Sequence, residues 1–485
     1  MEVEGQENLV NKYIFIVSTI LLITGCASLK PNKTTNRLDG LEGTLADRVN
    51  YQALKIKNDV EFEKDIMKLR KANITLSQLD ELATYANDVL ERLMLAWGGE
   101  KINAKVFIIT DSDFQAETLQ NHTIFVTLKS FDVFKREDEL AAMLAHELSH
   151  IYLSHSTKDV MSKSIDLAVK AGEMYLSFNS NKNSPEYYMN LKLLEWSAQK
   201  LLFPSWNRHQ ETEADYLGTD ILVKAGYNPK AMASFIKMIG NASQERQAFV
   251  AQNMKKSEKK DNTGKTNLAI NIDFNSIMNN IRGFLESQFG NDYESAEQRQ
   301  SDIRNYVKFN YFAVRKPFDK ERYRTVLSKI EVQKNLAAYK NALVADELLA
   351  KGDLKGASRA GLNSLTGNVA KDPYSRYLMY IIRSKEGNET KAFKNLDIAL
   401  ASKRATLKMY EDIAEGFVSQ QKYADALIII EEANKLFGKP SSILPSTIKA
   451  TAALGKNTIF LKLKCIKSLD VSLLKACENA EKAYK

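Results

Sequence analysis

The segment Ala145-His146-Glu147-Leu148-Ser149-His150 decides how this 485-residue chain is interpreted. It has the H-E-x-x-H pattern, in which two histidines four residues apart project from the same face of a helix. Two such imidazoles can hold one zinc ion, and Glu147 lies beside the first ligand, within reach of a water proton. The alternative is an amphipathic helix with two surface histidines, although the whole chain contains only five. An apolar stripe supports a helix that buries one face in a core and turns the opposite face, with the two histidines, toward a cleft: Leu140, Leu144, Leu148 and Ile151.

An acidic segment some sixty residues later can complete a zinc site. We predict a helix from Arg208 to a stop at Gly226, with Glu211 and Asp215 one turn apart on one face. The Glu211 carboxylate can bind the metal, while Asp215 accepts the second ring N–H of a ligating histidine. Glu213 lies two residues from each and points away from them, so we expect it to form a salt bridge instead.

The two motifs together resemble those of the HtpX-type zinc metallopeptidases. This family includes the CaaX prenyl protease, the mitochondrial inner-membrane stress protease and the periplasmic BepA-type proteases. The resemblance spans about residues 40–310 and implies an endopeptidase with one Zn²⁺ per chain. It assigns the metal ligands, the general base and the supporting residues as follows: ligands His146, His150 and Glu211, base Glu147, and supporting residues Arg208 and Asp215.

Two strands, at residues 105–109 and 123–127, are predicted just before the histidine helix. In the family such strands belong to a small sheet whose edge can pair with an extended peptide. BepA-type proteases also carry a His-Pro on a later loop over the zinc. The corresponding segment here, Tyr293–Arg299, has neither residue, so self-inhibition is either lost or performed by another side chain.

The other histidines are assigned minor roles. We expect His155 to be structural, hydrogen-bonded below the site, rather than a ligand. His209 lies next to the third-ligand segment, where it either contacts substrate or is an ordinary surface residue. His122 is predicted to lie in a turn.

The N-terminus predicts the cellular location. An eleven-residue apolar run from Tyr13 to Ile23 is too short for a dedicated membrane span and suits a signal peptide, residues 1–25. It ends at Gly25-Cys26, which resembles a bacterial lipobox, with residues 26–39 as a lipidated tether. Ala27 then resembles an outer-membrane destination. The alternative is an uncleaved anchor with an incidental cysteine, and the three glutamates before Lys12 are unusual for a signal peptide.

Composition favours a multi-domain, extracytoplasmic chain after residue 26. The formal charge of +8 arises from 68 basic and 60 acidic residues that are intermixed, and no basic-aromatic motif indicates a nucleic-acid partner. The charged segment at 251–270 is predicted to be a polar insertion in a metalloprotease domain covering residues 40–330.

The last third, residues 331–485, contains an internal repeat. Gly352, Gly387, Gln421 and Gly455 begin similar turn-and-helix segments at steps of 35, 34 and 34 residues. This is the period of tetratricopeptide (TPR) repeats, with the last repeat altered as a cap. Solenoids of this kind usually bind proteins or peptides on a concave face.

Cys465 and Cys477 remain after Cys26 is assigned to lipid. In an oxidising compartment they would form a disulfide, and the alternative is two buried thiols.

The sequence thus predicts a mostly α chain: an α+β, zincin-like metalloprotease domain with a small β-sheet, followed by a TPR-like α-solenoid. The predicted function is that of a lipid-anchored periplasmic zinc endopeptidase, and the family resemblance implies misfolded or stalled envelope proteins as its substrates. The TPR region would recruit protein substrates or, as the same resemblance implies, the outer-membrane assembly machinery, and lipid would be the membrane contact. The alternative is a chaperone or assembly scaffold with a largely latent protease site.

Overall fold

The computed structural model describes much of the chain after residue 42. The described residues are 43–48, 60–98, 102–155, 187–188, 190–194, 197, 206, 208–254, 279, 281, 283, 296–468 and 471–482. The expected signal peptide, Cys26, the tether and most of the 251–270 insertion lie outside these residues. Thr44–Lys485 form one structural unit.

The first part of the unit combines helices with one small sheet. Its elements are α1 (Leu45–Arg48), α2 (Phe62–Lys71), α3 (Asp80–Trp97), β1 (Lys105–Ile109), β2 (Ala116–Thr118), β3 (Thr123–Thr127), α4 (Leu128–Val133), α5 (Glu137–Tyr152), α6 (Arg208–Lys224), α7 (Ala231–Met254) and α8 (Glu321–Leu327). Residues 296–310 are also helical. The predicted combination of a mostly helical fold with a small sheet is confirmed.

The sheet has the strand order β1-β3-β2. β1 runs parallel to β3, with Val106 opposite Ile124, and β2 runs antiparallel to β3, with Glu117 opposite Phe125. Every residue of β3 is buried, as expected for a central strand. The sequence predicted β1 and β3 but not β2, because three residues are too few to establish an alternating pattern.

The histidine helix α5 is buried from its first residue to its last. It packs against α3, α6, α7 and β2. The expected open side is therefore covered by other elements, and even the polar first turn is internal. Glu137 accepts hydrogen bonds there from the hydroxyls of Tyr85 and Tyr227, and the Asp138 carboxylate accepts the backbone N–H of Asn228.

A glycine lets α6 approach α5 closely. A Cβ atom at Gly218 would lie 3.1 Å from the backbone nitrogen of His146 and 2.7 Å from the terminal methyl of Met232. Because only a hydrogen atom occupies this position, the two helix backbones come together one turn beyond Asp215. The acidic face of α6 is thereby held against the histidines of α5.

The last part of the unit consists of helices joined by turns and short loops in its described residues. Its helices are α9 (Ile330–Ala350), α10 (Leu354–Ser364), α11 (Pro373–Lys385), α12 (Glu389–Leu400), α13 (Leu407–Ser419), α14 (Tyr423–Phe437), α15 (Leu444–Ala453), α16 (Ile459–Lys467) and α17 (Val471–Lys482). Short 3₁₀ turns occupy Gly367–Lys371 and Ser441–Ile443. No described helix is long and apolar enough to cross a membrane.

The four repeat positions share one backbone conformation. Gly352, Gly387, Gln421 and Gly455 have φ angles of 83°, 74°, 61° and 69°, in the left-handed region that commonly ends a helix. Each follows the first helix of a hairpin, and α9 pairs with α10, α11 with α12 and α13 with α14. The sequence repeat therefore corresponds to a repeated helical hairpin.

The two parts of the unit are joined by polar contacts that involve α9 and the loop between α12 and α13. Arg70 donates to the Ala405 carbonyl at 2.8 Å, and Arg404 donates to the Ser77 carbonyl at 3.0 Å. Tyr339 of α9 accepts the backbone N–H of Gln78. These contacts tie α9 and the second hairpin to the region around β1.

A disulfide joins Cys465 of α16 to Cys477 of α17. We expect no free thiol at these two positions when the denatured, non-reduced protein is titrated. Replacing both by serine should lower the free energy of unfolding by about 3 kcal/mol, because the bond restricts the conformations of the unfolded chain. Hydrogen exchange in α15 to α17 would measure this cost. Two free thiols at these positions in the denatured, non-reduced protein would contradict the disulfide.

Candidate metal centre

Three side chains converge on one point between α5 and α6. The Nε2 atoms of His146 and His150 are 3.1 Å apart. Glu211 reaches them with its two carboxylate oxygens, at 3.5 Å from His146 Nε2 and 3.7 Å from His150 Nε2. Donor atoms around a tetrahedral zinc ion lie about 3.3 Å apart, since each bond is about 2.0–2.1 Å long. The residues present therefore fit a zinc ion.

Asp215 orients the first of these histidines. One of its oxygens lies 2.9 Å from Nδ1 of His146, on the side of the ring opposite the other donors. A proton on Nδ1 leaves Nε2 with its lone pair directed at the common point, which is the state that a metal ligand requires. Asp215 thus takes the place expected from the spacing of the acidic segment.

A second chain of contacts orients His150. Its Nδ1 lies 2.8 Å from Nδ1 of His155, and Nε2 of His155 lies 3.4 Å from Glu213. If Nδ1 of His150 carries a proton, it donates a hydrogen bond to Nδ1 of His155, and the Nε2–H of His155 then points to Glu213. The expected structural role of His155 agrees with this position. His209, half-exposed, also lies 3.4 Å from Glu213.

Trp206 packs against the ring of His150. Its ring stacks on His150 with 4.5 Å between centroids and an interplanar angle of 14°. On the other side of the cluster, Phe235 packs 5.6 Å from the His146 ring. Neither aromatic residue belongs to a motif, so the sequence alone does not predict either of them at the site.

The guanidinium that supports the carboxylates belongs to Arg299. It donates to both oxygens of Asp215, at 2.7 and 2.8 Å, and its third nitrogen lies 2.7 Å from Glu211. Arg208, predicted for a supporting role, is instead exposed at the first position of α6. The supporting role of Arg208 is implied by the resemblance of its motif and stays a prediction. Arg299 is the last residue of the segment that lacks a His-Pro.

Glu147 is held by the edge of the sheet. The hydroxyl of Thr118 in β2 donates to its carboxylate at 2.7 Å. Both the carboxylate and the neighbouring histidines are almost fully buried. Glu147 therefore has a fixed orientation beside the donor cluster, next to the strand at the sheet edge.

Burial and charge set the protonation of the cluster. Burial opposes ionisation of Glu211, but the charge of Arg299 and the hydrogen bond from His146 prevail and hold its pKa at about 2. Burial lowers the pKa of His150 well below its usual value, and His146 lowers it further. Burial raises the pKa of Glu147, an effect that His146 and Thr118 partly offset. An ionised Glu211 and a neutral His150 are the forms that bind a metal.

His122, predicted to lie in a turn, has a positive φ of 55° between β2 and β3 and is buried. It lies apart from the donor cluster, which consists of His146, His150 and Glu211.

Removing the carboxylate of Asp215 should loosen the metal without abolishing the site. We expect Asp215→Ala to weaken metal binding about 10–100-fold, because His146 loses the partner that fixes its tautomer. Competition with a fluorescent chelator measures this affinity. Arg208→Ala is the matched control and should bind metal as the unaltered chain does; equal affinity in all three proteins would contradict the role of Asp215.

A buried helix with two histidines and a glutamate, facing a carboxylate on a second helix, defines a metallopeptidase type of centre. Residues 82–323 match the profile of peptidase family M48. This region, which contains every residue of the centre, is therefore an M48 family domain.

Several known proteins are similar to this region. The metalloprotease LoiP of Escherichia coli K12 is 23% identical over 232 residues, covering 48% of this chain and 86% of LoiP. The mitochondrial metalloendopeptidase OMA1 of Schizosaccharomyces pombe is 28% identical over 148 residues, or 30% of this chain and 41% of OMA1. The β-barrel assembly-enhancing protease of E. coli K12 is 24% identical over 162 residues, about a third of each chain. The chain thus spans less than half of the last two relatives.

Proposed function

We propose that this chain is a zinc endopeptidase with His146, His150 and Glu211 as metal ligands and Glu147 as general base. The observation that carries the proposal is the convergence of three donor atoms at distances suited to one zinc ion. Two imidazoles and one carboxylate are also a donor set that zinc takes in catalytic sites, where a fourth position stays open.

In peptide hydrolysis the chain's own residues would transfer the proton and position the base and the substrate. When bound, zinc supplies Lewis-acid activation of the scissile carbonyl and of the attacking water. Glu147 accepts the proton of that water and delivers it to the leaving amine. Thr118 holds Glu147 in position, and β2 forms the sheet edge nearest to it, so an extended peptide added to this edge would pass the base.

The proposed setting is the bacterial cell envelope, with Cys26 lipidated after removal of residues 1–25. Substrates would be misfolded or stalled envelope proteins. The hairpins of residues 331–485 would act as a TPR-like module that recruits substrates or the outer-membrane assembly machinery. The similarity to a β-barrel assembly-enhancing protease and the repeated left-handed turn residues support this proposal.

Proteolysis by the purified chain tests the enzymatic proposal. We expect digestion of casein that stops on addition of a chelator and returns with zinc, together with one zinc per chain by elemental analysis. A chain that binds zinc but leaves casein and unfolded envelope proteins intact would favour the scaffold alternative.

Cys26→Ala tests the proposed anchor. We expect this variant to lose labelling by a radioactive fatty acid and to leave the membrane fraction, because the thiol is the lipid acceptor. Cys465→Ser is the control and should remain lipidated. A Cys26→Ala chain that stays membrane-bound at unaltered size would mean that residues 13–23 are an uncleaved anchor.

A further inference from the structure

The helix α16 carries an exposed apolar face near the end of the chain. Four side chains form it, exposed by 57%, 79%, 45% and 54% respectively: Ile459, Phe460, Leu463 and Ile466. Cys465 on the opposite side is buried and bonded to α17, so the disulfide fixes the orientation of the helix. At 100° per residue the four side chains occupy an arc of about 120°. The face is therefore a continuous stripe rather than scattered apolar residues.

Lysines border this stripe on both sides. Helical geometry places Lys462 beyond one margin and Lys464 beyond the other, while Lys467 lies within the arc at its C-terminal end. Lys464 and Lys467 are exposed, as is Lys456 just before the helix. An apolar arc bordered by lysines is the pattern of helices that lie in a membrane interface, where long basic side chains extend to the headgroups.

The surrounding segment is uniformly basic. Residues 438–468 contain six lysines and no acidic residue, whereas 60 acidic residues in 485 would place about four in a segment of this length. Elsewhere in the chain basic and acidic side chains are intermixed, as in the ion pair of Lys435 with Glu431 on α14. The apolar face thus lies within a region of one charge sign.

We propose that α16 is a peripheral docking surface for an anionic phospholipid bilayer. Ile459, Phe460, Leu463 and Ile466 enter the interface, and the lysines around them contact the lipid phosphates. A membrane is favoured over a protein partner because the face lies on one short helix and has basic residues on both margins. The proposal is independent of the metal centre and adds a second membrane contact to the proposed lipid at Cys26.

Vesicle flotation tests this surface. The chain is used from Ala27 onward, which removes the apolar run and the lipid acceptor but retains the whole unit Thr44–Lys485. We expect it to float with phosphatidylcholine vesicles that contain phosphatidylglycerol, and much less with phosphatidylcholine alone. Phe460→Ser should weaken this association at least about tenfold. The pair Lys464→Glu and Lys467→Glu should weaken it by a similar factor and remove its sensitivity to salt.

Ile428→Ser is the matched control. Ile428 is 64% exposed on α14, but its neighbours Glu431 and Glu432 are acidic, so this variant should float like the unaltered chain. All these side chains are exposed, and unchanged circular dichroism and peptidase activity would show that the fold is retained. Failure of the unaltered chain to float, or equal flotation of Phe460→Ser, would overturn the proposal. A dimer in sedimentation that Phe460→Ser dissociates would assign the face to a second copy of the chain instead.

Discussion

Glu147→Gln is expected to bind zinc normally and to lose peptidase activity by about 10²–10⁴-fold. Glutamine has nearly the same size and can still accept the hydrogen bond from Thr118, so the buried cluster keeps its shape. It cannot accept a proton from the attacking water. The loss should therefore appear in kcat, with KM and zinc content little changed.

Single-turnover cleavage of a fluorogenic peptide, with zinc measured in the same sample, separates these quantities. Glu245→Gln serves as the control, because Glu245 is exposed on α7. Activity of Glu147→Gln near that of the unaltered chain would refute its role as the base. Loss of zinc from this variant would instead show that Glu147 supports the ligands.

Glu211→Ala is expected to remove zinc and activity together. Two imidazoles alone hold zinc weakly, and the change also leaves one nitrogen of Arg299 without its carboxylate. Zinc content after dialysis should fall close to zero, with no activity above background. A thermal melt in the presence of chelator would show whether the fold survives without this carboxylate.

Glu213→Ala is the decisive comparison, because the same motif contains both glutamates. Glu213 contacts His155 and His209 rather than the common point of the donors. Its variant should keep zinc near one per chain, with at most a modest loss of affinity through His155. A zinc-free Glu213→Ala beside a zinc-loaded Glu211→Ala would exchange the two assignments.

Local spacing predicted the residues that share a helix face. His146 and His150 share a face because they are four residues apart, as are Glu211 and Asp215, and helical periodicity needs no tertiary information. The same periodicity separated Glu213 from Glu211, and the structure places their carboxylates against different partners. The 34-residue spacing of turn residues likewise predicted the helical hairpins.

Residues that reach the centre from distant segments could not be predicted in this way. Arg299 is 84 positions from Asp215, and Thr118 is 29 positions from Glu147. Their contacts depend on how α5, α6 and β2 pack, which no local pattern encodes. Arg208, to which the resemblance assigned a supporting role, is exposed at the start of α6, and that role stays a prediction.

Polar residues on α5 suggested a helix with one open side, but hydrogen bonds from Tyr85, Tyr227 and Asn228 satisfy its first turn inside the protein. Buried polar groups are tolerated when they are paired in this manner. A pattern of hydrophobicity cannot reveal partners that come from other helices. The burial of α5 therefore followed from the fold and not from its own sequence.

The burial of α5 also determines how the proposed activity would be lost on heating. Proteins open in cooperative segments, and exposed elements usually open at a smaller free-energy cost than the core. Here two of the proposed ligands, His146 and His150, and the proposed base Glu147 lie on a helix that is buried along its whole length, so separating them requires the core to open. Loss of the proposed activity on heating and global unfolding should then occur in a single transition. Mutations that destabilise the core should lower both transition temperatures by the same amount.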